Sequence, residues 1–151
     1  VMEIMNQHGE ITGQRKYNIS DQEIRNNIFR YSPFSHPLIM IRKSIIDKVG
    51  FYDPEYAPAD DYELYFRIGN ESKFANLPDV ILRYRIIPSS ITFMQTKKME
   101  LATINVRNQN SKNPNYNFTF VDKIYNVFHY LSIYIVPSRF KIYLFNLLRN
   151  N

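Results

Sequence analysis

Two adjacent carboxylates, Asp60 and Asp61, lie in the stretch APADDYELYFR at residues 57–67, after a proline turn and at the head of an aromatic run. A carboxylate fixed at a helix start and facing a cleft is well suited to take a proton from an attacking hydroxyl, as a general base. The same position favours carboxylates for a structural reason. The first N–H groups of a helix lack intrahelical partners, and its N-terminus carries partial positive charge. The two roles can be divided, with Asp60 capping and Asp61 reacting. Tyr62, Tyr65 and Phe66 form one helical face, whereas Asp60, Glu63, Leu64 and Arg67 lie elsewhere on the wheel. That periodicity leaves the division open.

The pair must be held by a helix over 60–68, which Gly69-Asn70 would stop. Upstream, residues 1–17 read as a hairpin about a His8-Gly9 turn. Ser20 and Glu23 form a capping box that opens a short helix ending near Arg30. The apolar run 38–41, entered through Pro37, suits a buried strand. Ser44 is placed to cap a second short helix, with Gly50 as its stop. Downstream, 73–78 and 80–86 read as strands, and a further helix spans about 96–107. The expected fold class is therefore mixed α/β, with short strands, flanking helices and a C-terminal amphipathic helical tail. The expected division is a unit over 1–95 and a helical, basic and aromatic extension over 96–151.

At 151 residues the chain is sized for one compact domain, and with 44% hydrophobic and 15% aromatic residues it is not disordered. It opens at Val1 inside an apolar-alternating stretch, as a segment of a longer protein or a trimmed N-terminus would. Residues 1–96 carry 11 Lys and Arg against 12 Asp and Glu, whereas residues 97–151 carry 8 against 2. All of the net basicity thus belongs to the last third, which suits an anionic partner there. Cys is absent, which excludes disulfides and thiolate metal sites and suits a reducing compartment. No apolar run approaches the roughly 20 residues of a membrane-spanning helix.

The stretch FSHPLIMIRKSIIDKVGFYDPEYAPADDYELYFRI, followed by KFANLPDVILRYRIIPSSIT, resembles the C-terminal half of glycosyltransferase family two, inverting nucleotide-sugar transferases of the GT-A fold. The likeness covers roughly residues 1–95. It rests on an ordered set: His-Pro-x-x-Met-x-Arg-Lys, Val-Gly-x-Tyr-Asp, an acidic pair before Tyr-x-Leu, Ala-Asn-Leu-Pro, and Tyr-Arg before Pro-x-Ser. The resemblance implies that Asp61, second of the pair, is the catalytic base in a single in-line displacement at the anomeric carbon. It places Asp60, His36, Arg42 and Arg85 as substrate-binding residues. Each has a plainer role beside it: His36 as a satisfied histidine at a strand start, Arg42 as an ion-pair partner, Arg85 as a water-facing strand arginine.

The chain departs from the family pattern in two respects. Ile87 stands where the family usually has a histidine, and isoleucine neither ligates a cation nor donates a hydrogen bond. Residues 1–151 also hold no Asp-x-Asp and no glycine-rich phosphate loop. The divalent cation (Mg or Mn) that the resemblance implies is therefore expected on a preceding nucleotide-binding half, with none bound by this segment. The implied partners are a nucleotide-sugar donor and a glycan or lipid-linked acceptor. A different class of function also fits: a non-catalytic, glycosyltransferase-like binding module lacking the nucleotide-binding half.

In the tail, Val121, Ile124, Tyr125, Phe128, Leu131 and Ile135 fall at helical spacing, as do Phe140, Tyr143, Leu144 and Leu147 behind Ser138. These faces suit either packing on the domain or lying on an anionic membrane through residues 118–151, with Lys123, Arg139, Lys141 and Arg149 near the headgroups. The expected location is cytoplasmic and peripheral to the membrane. No RNA-binding motif accompanies the basic tail, so a nucleic-acid partner is not expected.

Overall fold

The computed structural model of the chain describes residues 1–87, 95–137, 140–141 and 143–144. The segment at 88–94, together with Ser138, Arg139, Leu147 and Arg149 of the tail, lies outside the described residues.

The hairpin forms as the sequence predicts. Strand β1 (Met2–Met5) pairs antiparallel with β2 (Ile11–Arg15), in a register that shifts between Ile4 and Met5. Gly9 takes the positive φ of 88° that its turn requires. Strand β3 (Arg83–Arg85) lies parallel on the other side of β1, giving the order β2-β1-β3. An ion pair of 2.9 Å between Arg83 and Glu3 crosses the parallel register.

Helix α1 (Asp21–Asn27) starts at the Ser20–Glu23 capping box. Helix α2 (Lys43–Val49) begins at Arg42 with no side-chain cap, so Ser44 lies inside it; Gly50 closes it at φ 84°. Helix α3 (Asp60–Glu71) is the centre of the fold. Tyr62, Leu64, Tyr65, Phe66 and Ile68 are all buried, so both faces of the helix are covered. They meet Ile24, Ile28, Phe29, Phe74, Val106 and Tyr116 in one core. Phe66 anchors its aromatic part, with ring centroids 5.3 Å from Phe29 and 4.9 Å from Tyr116. Helices α4 (Thr96–Asn110) and α5 (Phe120–Ile135) follow, and the described tail residues 140–141 and 143–144 are helical as well. The molecule is mixed α/β.

The strand expectations differ from the structure at three places. Residues 38–41 form no strand. A one-turn 3-10 helix occupies His36–Leu38, the following residues run extended without a ladder, and Met40 is 98% exposed. An apolar run becomes a strand only when a neighbouring backbone accepts its hydrogen bonds, and the three-stranded sheet is built elsewhere. Residues 73–78 are likewise irregular, and only 83–85 of the run 80–86 pairs.

Nor does Gly69 stop α3, because it lies within the helix. A Cβ there would stand 1.9 Å from the Tyr116 hydroxyl and 2.7 Å from the Phe74 ring. That hydroxyl donates to the Phe66 carbonyl at 3.0 Å, so it is not free to retreat. Alanine would gain about 1 kcal/mol of helix propensity, but overpacking costs typically about 1–3 kcal/mol or more. Gly69→Ala is therefore expected to lower the urea unfolding midpoint. A raised midpoint would show that the close approach is not restrictive.

Helix α5 starts at a Thr119–Asp122 capping box and packs with its polar residues inward. Asp122 and Asn126 are buried, whereas Val121, Ile124, Tyr125, Phe128, Leu131 and Ile135 are exposed. The apolar pattern of the tail thus does not complete the core. Contact is made through Arg107, which is only 2% exposed. Its guanidinium reaches the Tyr62 hydroxyl (3.2 Å), the Arg30 carbonyl (2.9 Å), Asn126 Oδ1 (3.2 Å) and His129 Nδ1 (3.1 Å). Arg30 in turn donates to Asp122 at 2.8 Å. Burial pushes the Asp122 carboxyl up, but bonds from Thr119 and Arg30 outweigh it and hold the group below the usual carboxylate range.

Candidate active site

The surroundings of α3 fix the position of its first turn. Tyr62 donates from its hydroxyl to the Ile28 carbonyl, anchoring one side. Arg67, paired with Glu63 at 2.8 Å, donates to the Phe51 carbonyl at 2.8 Å and also to the Val49 carbonyl, tying α3 to the end of α2. The loop before α3 enters through a 3-10 turn at Pro54–Tyr56 and a cis Ala57–Pro58 peptide. Ala59 occupies the N-cap position and is buried, with no side chain able to cap.

The expected division of labour between the carboxylates is altered. Asp60 accepts no hydrogen bond among the described residues. Asp61 Oδ1 accepts the otherwise unpartnered N–H of Tyr62 at 2.7 Å, so the second carboxylate meets the helix's need. Its Oδ2 lies 3.7 Å from His36 Nδ1, beyond hydrogen-bond reach but within strong electrostatic influence. The same His36 nitrogen is 2.9 Å from the Tyr65 hydroxyl, and the His36 ring stands edge-on to Tyr52 at 5.7 Å.

Asp61 is about two-thirds withdrawn from water, its side chain 33% exposed. Burial pushes its carboxyl above the usual carboxylate value. The Tyr62 N–H and His36 oppose that rise, and neighbouring Asp60 adds to it. Burial, then the Asp61 charge, hold the Tyr65 phenol far above its ordinary value, so it stays protonated. The cluster therefore presents a partly exposed carboxylate of raised basicity beside a tethered imidazole. Such a group can accept a proton from a hydroxyl brought to it.

Of the sequence-derived site residues, Asp61, Asp60 and His36 come together, and Tyr65 joins them. The sequence puts Tyr65 on a helical face with Tyr62 and Phe66 and gives it no site role; its position one helical turn after Asp61 is the available signal. Arg42, exposed at the N-cap of α2, lines an apolar cleft of about 610 Å³. Phe34, Leu38, Ile39, Ile41 and Phe74 also line this cleft. Ser35 and Tyr65 reach it, whereas Asp61 and His36 do not, so the cleft adjoins the carboxylate cluster without containing it. Arg85 lies on β3 and donates to the Gln7 carbonyl at 2.8 Å, bracing the hairpin turn. Ile87 is partly exposed beyond β3. Among the described residues no three His, Asp or Glu side chains converge as a metal site would need.

Fold and site together define a mixed α/β chain that presents a buried-helix carboxylate at the edge of a cleft. An uncharacterized glycosyltransferase of Methanocaldococcus jannaschii is 27% identical to the chain over 122 residues, covering 78% of this chain and 42% of that protein. The chain is a distant relative of a glycosyltransferase and spans under half of that relative's length. No family model matches the chain, and no solved structure matches it.

Proposed function

We propose that the chain forms the acceptor-side part of an inverting, nucleotide-sugar-dependent glycosyltransferase resembling family two of the GT-A fold, with Asp61 as its general base. The observation that carries this reading is the state of the Asp61 carboxylate. One oxygen accepts the Tyr62 N–H, the other lies beside His36, and burial makes the partly exposed group more basic. In the proposed step, Asp61 Oδ2 takes the proton of the acceptor hydroxyl as the hydroxyl oxygen bonds to the anomeric carbon from the face opposite the leaving group. The bond from that carbon to the nucleotide diphosphate breaks, and the diphosphate leaves with the electron pair. Asp60 and His36 contact the acceptor glycan or lipid-linked sugar. Arg42 and Arg85, both exposed cations, serve the anionic donor.

The reading is tested with the protein at its native length and a panel of nucleotide sugars. Transfer is expected to invert the anomeric configuration, read by NMR of the product. The kcat/KM profile is expected to fall on acidification through a value above the ordinary carboxylate pKa of about 4, as Asp61 becomes protonated. Retention of configuration, or a rate that stays flat down to ordinary carboxylate pH, would contradict the assignment.

A further inference from the structure

We infer that helix α5 is a membrane-surface anchor, lying on bilayers that contain anionic phospholipid. The inference goes beyond the transferase reading and does not depend on Asp61. It starts from the inverted packing of the helix. Asp122, Asn126, His129 and Ile133 face the domain at helical spacing, and the first three meet Arg30 and Arg107. The outward side is almost wholly apolar and aromatic. Phe120 is 75% exposed, Phe128 67% and Ile135 74%. Val121, Val127, Leu131 and Tyr134 are exposed beside them. A contiguous face of this kind on a folded chain marks a surface that meets another apolar phase.

Charge selects the phase. The only two carboxylate side chains after residue 96 are Glu100 and Asp122. Both are turned inward and engaged: Asp122 by Arg30, Glu100 by Lys141 at 2.5 Å and by His129 at 3.6 Å. Lys97, Lys98 and Lys123 are exposed and pair with no carboxylate among the described residues. Lys97 lies over the Tyr134 ring, 4.6 Å from its centroid, at the edge of the apolar face. The outward side therefore combines bulky apolar groups, tyrosines suited to the headgroup layer, and cations with no anions among them. That is the pattern of a helix lying in an anionic interface. At 16 residues α5 is too short to cross a bilayer, and no helix among the described residues is long and apolar enough to do so.

The structure also corrects which cations serve. Lys141 is committed to Glu100, so Lys97, beside Tyr134, takes the place expected for it.

Flotation with vesicles of phosphatidylcholine, alone or mixed with phosphatidylglycerol, tests the inference. The wild-type chain is expected to float with the mixed vesicles and to be released by salt. The triple variant Ile124→Ser, Phe128→Ser, Leu131→Ser changes only outward side chains, and its far-UV circular dichroism and unfolding midpoint check that the fold persists. This variant is expected to lose flotation. Lys97→Gln, Lys98→Gln, Lys123→Gln together are expected to weaken binding by about tenfold or more. Absence of wild-type flotation, or flotation unchanged in the apolar variant, would overturn the inference. Self-association that the apolar variant abolishes, in a chain that binds no vesicles, would assign the face to a second copy and equally overturn it.

Discussion

Arg107→Met is expected to destabilise the chain by about 3–5 kcal/mol and to loosen α5 from the domain. The guanidinium is buried, and it is the shared donor for groups from three parts of the chain: Tyr62 on α3, the Arg30 carbonyl, and Asn126 and His129 on α5. Methionine preserves most of the stem's packing but leaves the Arg30 carbonyl, Asn126 Oδ1 and His129 Nδ1 without their donor. Each buried acceptor so stranded costs about 1–3 kcal/mol, while removing a desolvated cation returns part of that sum. The loss dominates because several acceptors depend on one group. Arg107→Lys keeps the charge but offers a single point donor, so it should recover less than half of the lost stability. Urea unfolding of the three proteins measures both effects. A methionine variant within about 0.5 kcal/mol of wild type would mean that packing, rather than the polar network, joins α5 to α3.

This network also marks where the sequence stops being legible. The hairpin, the Ser20–Glu23 box and α4 were readable because their signals are local: a turn glycine, a cap with its reciprocal glutamate, a long run of helix formers. Residues 38–41 have the composition of a strand, but strand formation depends on a partner backbone that composition does not supply. Gly69 looks the same in sequence whether it ends a helix or lets Tyr116 approach one; a residue far along the chain decides. In α5 the periodicity located an apolar face, and the natural assumption is that such a face points inward. The contrary signal was present in Asp122, Asn126 and His129 at helical spacing, yet it gains meaning only once Arg107 and Arg30 are known to lie opposite.

For the candidate site, motif order singled out Asp61 and His36, and the fold brings them within 3.7 Å. Which carboxylate satisfies the helix start was not legible. It turns on the side-chain torsion of Asp61, and no sequence pattern encodes that. Tyr65 was hidden for a related reason, since a tyrosine whose ring is buried in the core can still offer its hydroxyl to the site.

Asp61→Asn removes the partly exposed carboxylate that burial makes more basic, while the amide oxygen can still accept the Tyr62 N–H. A general base contributes about 10²–10⁴ in rate, so turnover should fall by that factor. Stability should not fall with it. The folded-state pKa of Asp61 is raised above its unfolded value, so its ionised form disfavours folding at neutral pH, and that penalty is relieved as pH drops through the folded-state pKa. A neutral amide relieves it at every pH, so the variant should unfold at an equal or higher urea concentration. Asp60→Asn, which removes an adjacent charge that accepts no hydrogen bond among the described residues, should alter the rate far less.

The direct measurement is single-turnover sugar transfer by the native-length protein, comparing wild type, Asp60→Asn and Asp61→Asn at one pH above the acid limb. A rate lowered by about 10²–10⁴ in Asp61→Asn alone, with unfolding midpoints unchanged or higher, is the expected result. An Asp61→Asn protein that transfers sugar at the wild-type rate would contradict the assignment of the base.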